Sequence, residues 1–139
     1  PYFYELQGQI LLETGALSEA KASFAKACSL LPNSPLMQLN YAQTLLEDNP
    51  DKAAAQKAVS LLTRALVSSK SPDGFMLLSK AYGLSGDMAA ANYAAAEYSY
   101  GIGNTDAARR QLKEALKYKT SPQLKLKIND LDMRLKAEK

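Results

Sequence analysis

Few residues in this chain could carry out catalysis or hold a metal ion. The 139 residues include no histidine, which excludes a Ser–His–Asp triad, a Cys–His pair, an HExxH zinc site and nearly all structural zinc sites. Neither GxGxxG nor GxxxxGK[ST] occurs, so the common phosphate-binding loops are missing as well. No acidic pair is flanked by the apolar or basic neighbours that tune carboxylates for acid–base work. We therefore predict a non-enzyme with no cofactor and no metal bound by this chain.

The only cysteine, Cys28, follows Ala27 in a run that reads as helical. A single cysteine cannot build an internal disulfide framework. Its position within an apolar helical pattern predicts a buried, inert thiol rather than a reactive one.

Two tyrosines and a glutamate could form a contact site instead. Tyr93, Glu97 and Tyr100 stand at i, i+4 and i+7, a spacing that places them on one face of a helix. One interpretation is a rigid aromatic patch that contacts a partner. The other is that these tyrosines pack beneath neighbouring helices, as Tyr82 and Tyr98 are expected to do.

The elements that position these residues are helices with clear start signals. Four dipeptides combine an N-cap residue with proline at the first helical position: Ser34-Pro35, Asn49-Pro50, Ser71-Pro72 and Ser121-Pro122. Three further residues are predicted to cap helices: Ser18, Asp87 and Asn104. The prediction is about eight helices joined by very short turns, so that neighbours pack antiparallel.

The same order of small and large residues recurs along the chain. It reads Gly8, Leu11, Gly15, Ala20, Phe24, Ala27, Pro32; then Ala42, Leu45, Asn49, Ala58, Leu62, Ala65; then Ser79, Tyr82, Gly86, Ala91, Ala95, Tyr98; and finally Gly103, Ala108, Leu112, Ala115. Ala91 and Ala108 are 17 residues apart, half of a 34-residue period. One helix, from about Met88 to Gly101, therefore closes the third unit and opens the fourth. The small positions are expected to let paired helices approach closely.

This recurring order of small and large residues resembles the tetratricopeptide (TPR) repeat, a helix-turn-helix of 34 residues. The resemblance implies an all-α fold: a right-handed antiparallel helical solenoid of about 3.5–4 TPR units, with about eight helices. We predict a single domain over 1–139, with units at about 1–34, 35–71, 72–101 and 88–120 and a capping helix at 121–138. The capping helix places Leu124, Ile128, Leu131 and Leu135 on one face.

The resemblance also implies a concave face that binds an extended peptide or partner segment. Carried over position by position, its lining is Tyr2, Glu5, Gln9, Leu12, Glu13, Leu36, Leu39, Gln43, Leu46, Met76, Lys80, Tyr93, Glu97 and Tyr100. The family's carboxylate clamp uses Lys and Asn on its first helices, but here Glu5 and Gln9 take those places and only Asn40 is retained. An apolar or mildly basic ligand is therefore expected rather than an acidic C-terminus.

A narrower resemblance is to the C-terminal TPR region of bacterial BepA-type zinc metallopeptidases. It is carried by "PYFYELQGQILLETG", "SPLMQLNYAQTLLE" and "GFMLLSKAYGLSGDMAAANYAAAEYSYGIGNTDAARRQLKEAL". In that family a signal peptide and an HExxH domain come first. The resemblance implies a periplasmic module that docks on the protease domain of the same polypeptide and binds client or outer-membrane assembly proteins. Pro1 is not an initiator, and we expect a fragment or a processed chain.

Two other functional classes fit features of the same sequence. A free-standing TPR adaptor in a secretion or assembly complex, with no attached enzyme, fits the same repeats. The net charge is +3, yet residues 109–139 carry ten Lys and Arg against four Asp and Glu. This basic end would allow nucleic-acid binding through Arg109, Arg110, Lys113, Lys117 and Lys119. We instead expect the solvated face of a capping helix, no nucleic-acid partner and no membrane insertion.

Overall fold

A computed structural model of the chain describes the backbone of residues 2–13 and 16–138, without the side chains at 2, 11–13 and 17. Leu11 and Gly15 of the first predicted unit therefore lie outside the described part. Within these ranges the protein is all-helical, with eight helices and no strand, as predicted. The helices are α1 (Tyr2–Glu13), α2 (Leu17–Leu30), α3 (Pro35–Glu47), α4 (Lys52–Ser68), α5 (Pro72–Ser85), α6 (Met88–Gly101), α7 (Thr105–Ala115) and α8 (Pro122–Ala137).

Most helix starts are where the sequence predicts them. Ser34, Ser71 and Ser121 accept backbone hydrogen bonds at the first turns of α3, α5 and α8, each with proline next in the chain. Asp87 and Asn104 cap α6 and α7 in the same way. Each such cap stabilises its helix by about 1 kcal/mol because it satisfies an N–H that has no partner inside the helix.

Two predicted caps are wrong. The cap of α4 is Asp51, whose Oδ1 accepts from the Ala54 N–H at 2.7 Å, and Asn49 instead adopts a left-handed φ of 42° in the preceding turn. Asparagine tolerates that conformation better than most residues. Helix α2 begins one residue before Ser18, and its N-cap, Ala16, makes no side-chain capping bond.

The chain divides into two compact units, residues 1–70 and 71–139. In the first unit α2 packs against both α1 and α3, and α3 packs against α4. In the second, α6 packs against α5 and α7, while α8 lies against α6 and α7.

The small residues allow close helix approach, as expected. A Cβ built on Gly8 of α1 would lie only 2.7 Å from Cε1 of Phe24 on α2, and Phe24 is fully buried. Ala20 and Ala27 on the same helix are also fully buried. The aromatic ring of Phe24 therefore occupies the space that a side chain at position 8 would need.

The Cys28 thiol is half-buried on α2, and burial raises its pKa to about 11 despite the nearby positive charges of Arg64 and Lys57. Because only the thiolate is nucleophilic, we expect alkylation at mildly basic pH to be about 100-fold slower than for a thiol with the ordinary pKa. The rate of reaction with iodoacetamide, compared with that of the unfolded chain, measures this. Equal rates in the folded and unfolded protein would contradict the prediction.

Candidate functional site

Helix α6 forms the centre of the second unit and carries the predicted Tyr93, Glu97 and Tyr100. Its buried alanines allow neighbouring helices to approach on several sides: Ala89, Ala90, Ala91, Ala94 and Ala96. Tyr93 and Glu97 are only 8% exposed, and Tyr100 is half-buried. A helix with this many buried faces is a core helix.

Helix α8 covers the side of α6 that these residues share. Ile128, Leu131 and Leu135 of α8 are almost completely buried and join one apolar cluster with Tyr93 and with Leu112 of α7. The predicted apolar face of the last helix is therefore confirmed for these three residues, and Leu124 packs partly buried against the same cluster.

A charged group of α8 completes this contact. The Arg134 guanidinium donates from Nη2 to Glu97 Oε2 at 3.1 Å and to Glu97 Oε1 at 3.3 Å. The Tyr93 hydroxyl donates to Glu97 Oε2 at 2.5 Å, so the buried carboxylate accepts bonds from two helices. The guanidinium carbon also lies 5.3 Å from the ring centre of Tyr100, within cation–π range. Asp130 adds a second carboxylate 3.1 Å from Arg134 Nη2.

The electrostatics of this network follow from burial and from the Glu97 carboxylate. Burial raises the pKa of Tyr93, and both the hydrogen bond to Glu97 and its negative charge raise it further. For Arg134, burial lowers the pKa, but the hydrogen bond and charge of Glu97, with the charge of Asp130, outweigh burial and raise it. Both groups are therefore held in the protonated form in which they donate to Glu97.

The raised pKa of Tyr93 predicts a pH dependence of stability. In the unfolded chain this tyrosine ionises near its ordinary pKa of 10.0, whereas in the folded protein it stays protonated to higher pH. Its contribution to the free energy of unfolding is therefore complete below about pH 10 and is lost as the pH rises further. Denaturant unfolding of the unmodified protein and of Tyr93→Phe, at pH values below and above 10, tests this prediction. We expect the difference between their free energies of unfolding to shrink above pH 10. A difference that does not change with pH would contradict the account.

The predicted aromatic patch is thus covered by the chain itself. Tyr93 and Glu97 are not open to an external partner in this conformation because α8 takes that place. The geometry agrees with the other interpretation, in which the tyrosines pack beneath a neighbouring helix. The sequence placed the three residues on one face, but it did not pair that face with Arg134.

The remaining predicted lining residues have varied environments. In the first unit, Glu5, Gln9, Leu39 and Gln43 are half-buried, and Leu36 is exposed. Leu46 is a core side chain, because its position on α3 faces the packed interior, so its assignment to an open face is corrected. The side chains of Tyr2, Leu12 and Glu13 lie outside the described part of the chain.

In the second unit Met76 and Lys80 of α5 are both exposed, as a lining role requires.

The side-chain amide of Asn40 on α3, in the first unit, is a buried polar group. Among the described residues its Nδ2 has no hydrogen-bond partner, and it is closed off from solvent. A buried unpaired donor of this kind costs about 1–3 kcal/mol.

One surface was missed at the level of sequence. Phe3, Leu6 and Ile10 of α1 are 69%, 59% and 52% exposed, and their i, i+3, i+7 spacing aligns them on one face. We call these three residues the α1 stripe. Clustered exposed apolar side chains mark sites of protein association more often than isolated ones do. The helical period of "FYELQGQI" places these three apolar residues on one face, next to the face that the repeat pattern assigns to the lining.

The described residues offer no metal site, since no group of three or more Cys, Asp and Glu is suitably placed there. None of the described helices combines the length and the apolar character that crossing a membrane requires. The basic residues Arg109, Arg110, Lys113, Lys117 and Lys119 are all exposed.

No protein-family model matches the sequence, and no curated protein matches it either.

Proposed function

We propose that this chain is a non-catalytic protein–protein interaction module, the C-terminal TPR domain of a periplasmic zinc metallopeptidase. In this proposal the eight helices form a right-handed TPR solenoid of about 3.5–4 units in a single domain, with α8 as the C-terminal cap. The order of small and large residues, the helix starts at Ser34, Ser71 and Ser121, and the Gly8–Phe24 contact support that architecture.

The observation that carries the proposal is the α1 stripe. Phe3, Leu6 and Ile10 each leave more than half of the side chain exposed, and burying such a side chain contributes about 1.5–3 kcal/mol. A surface of this kind gains stability when another protein covers it. In the proposed parent protein, that cover is the protease domain of the same polypeptide.

Client or outer-membrane assembly proteins would then contact the first helices of the repeats. Glu5, Gln9, Leu36, Leu39 and Gln43 present a mixed apolar and acidic surface in the first unit. Met76 and Lys80 are the corresponding exposed residues in the second. Such a surface favours an extended apolar or mildly basic segment, since Glu5 repels a carboxylate. The proposed module binds through contact alone and has no catalytic residue or cofactor of its own.

The alternative is a free-standing TPR adaptor with no enzyme attached. The same exposed residues support it, because an adaptor also needs apolar surface for its partners. The two candidates differ in the polypeptide that covers the α1 stripe.

Reading the coding sequence upstream of Pro1 separates them. A secretory leader followed by an HExxH motif would support the metallopeptidase assignment. A start codon shortly upstream, or an unrelated domain, would overturn that assignment and leave the adaptor.

A further inference from the structure

A cleft of about 250 Å³ lies between α7 and α8 in the second unit. Its floor is apolar, formed by Leu112, Leu116, Ile128 and Leu135. Leu112, Ile128 and Leu135 belong to the buried core, but Leu116 is 53% exposed. An apolar group that entered the cleft would therefore contact Leu116 and cover surface that water now reaches.

Positive charge surrounds this floor. Arg109 and Lys113 line the cleft from α7, at i and i+4 on one helix face, and Lys136 lines it from α8. Asp132 is the carboxylate in the lining, and its Oδ2 already pairs with Lys136 Nζ at 3.0 Å. Arg109 likewise pairs with Asp106, which does not line the cleft, at 3.4 Å. The lining thus combines an apolar floor with three cations and one carboxylate.

The position of Arg109 is set by the fold. Its Nη2 donates to the Leu135 carbonyl oxygen at 3.2 Å, near the C-terminal end of α8, where a cation is favoured by the helix dipole. This bond, together with the 3.4 Å ion pair between Nη1 and the exposed carboxylate of Asp106, holds the guanidinium at the edge of the cleft. A preorganised charge costs less to use in binding than a freely rotating one.

We propose that the α7–α8 cleft docks an acidic peptide segment that carries an apolar side chain. Carboxylates of the segment pair with Arg109, Lys113 and Lys136, and the apolar side chain contacts Leu116. A nucleic-acid backbone would satisfy the charges, but it has no aliphatic side chain to place on a leucine floor. This surface includes none of the α1 stripe residues, and the inference does not depend on the function proposed above.

Fluorescence anisotropy with the full chain tests the inference. The probe is a fluorescein-labelled peptide of glutamate and aspartate residues around one leucine, and a second probe replaces that leucine with serine. Three variants change the cleft: Lys113→Glu, Lys136→Glu and Leu116→Ser. The matched control is Lys125→Glu, which reverses an exposed charge on α8 that does not line the cleft.

We expect Lys113→Glu and Lys136→Glu each to lower the affinity for the leucine probe by about tenfold or more, because like charges then face each other across the contact. Lys125→Glu should change the affinity by less than about twofold. Leu116→Ser should remove the preference for the leucine probe over the serine probe. Equal losses in Lys125→Glu and Lys113→Glu, no preference for leucine, or binding of a single-stranded oligonucleotide in place of the peptide would each overturn the inference.

Discussion

Replacing Gly8 with alanine is expected to lower the free energy of unfolding by about 1–3 kcal/mol, the usual cost of overpacking a core. The added Cβ would lie 2.7–2.8 Å from three carbons of the Phe24 ring. Phe24 is fully buried, so a shift of its ring would disturb the surrounding core packing. Alanine is a better helix former than glycine by about 1 kcal/mol, so a net loss of stability would show that the contact outweighs helix propensity.

The matched control for this substitution is Gly83→Ala on α5. Gly83 is also helical, but apart from its chain neighbours and the adjoining backbone of α5 no atom lies within 4 Å of a Cβ built there. Its replacement should therefore raise the free energy of unfolding by up to about 1 kcal/mol. Adding Phe24→Leu to Gly8→Ala should recover part of the loss, because the smaller side chain frees the required space. Thermal unfolding followed by circular dichroism measures the stability of each variant. Equal changes in stability for Gly8→Ala and Gly83→Ala would contradict the account.

Replacing Arg134 with methionine is expected to cost about 1–3 kcal/mol. Removing one partner of a fully buried ion pair costs about 3–5 kcal/mol, because the other charge is left uncompensated. Glu97 is 8% exposed, but the Arg134 side chain is 38% exposed, so solvent screening reduces the loss. The Tyr93 hydroxyl remains as a donor to Glu97, which limits the effect further.

A double substitution separates the charge from the packing of the arginine stem. In Glu97→Gln the carboxylate charge is gone, so adding Arg134→Met should then cost clearly less than it does in the unmodified protein. Lys125→Met on the exposed side of α8 is the control and should change stability by less than about 0.5 kcal/mol. Chemical denaturation measures these differences. If Arg134→Met lowers the free energy of unfolding as much in the Glu97→Gln variant as in the unmodified protein, the Arg134–Glu97 ion pair does not stabilise the fold.

Local signals allowed much of the fold to be predicted from the sequence. The Ser-Pro pairs at Ser34, Ser71 and Ser121 mark helix starts because each signal depends only on a few adjacent residues. Helix α6 was predicted over the residues that it occupies, Met88–Gly101. At Asn49 the local signal is ambiguous, because Asp51 two residues later is an equally good cap, and in the structure Asp51 caps α4.

The candidate sites were harder to predict, because they depend on contacts between distant residues. Tyr93 and Arg134 are 41 positions apart, and the helical period shows only which residues share a face. It does not show which other helix covers that face. The α1 stripe illustrates the same limit, because the pattern that aligns Phe3, Leu6 and Ile10 is equally typical of a buried face and of an exposed one.

Site-specific cross-linking in the natural polypeptide tests the central claim, that another protein surface covers the α1 stripe. A photoreactive residue replaces Leu6 in one variant and Val67 in the other, since Val67 is 78% exposed on α4 and serves as the control. Mass spectrometry then identifies the cross-linked peptides. The account predicts a specific cross-link from position 6 to an HExxH-containing domain of the same polypeptide, and none from position 67. Cross-linking from position 6 that does not exceed the control would contradict it.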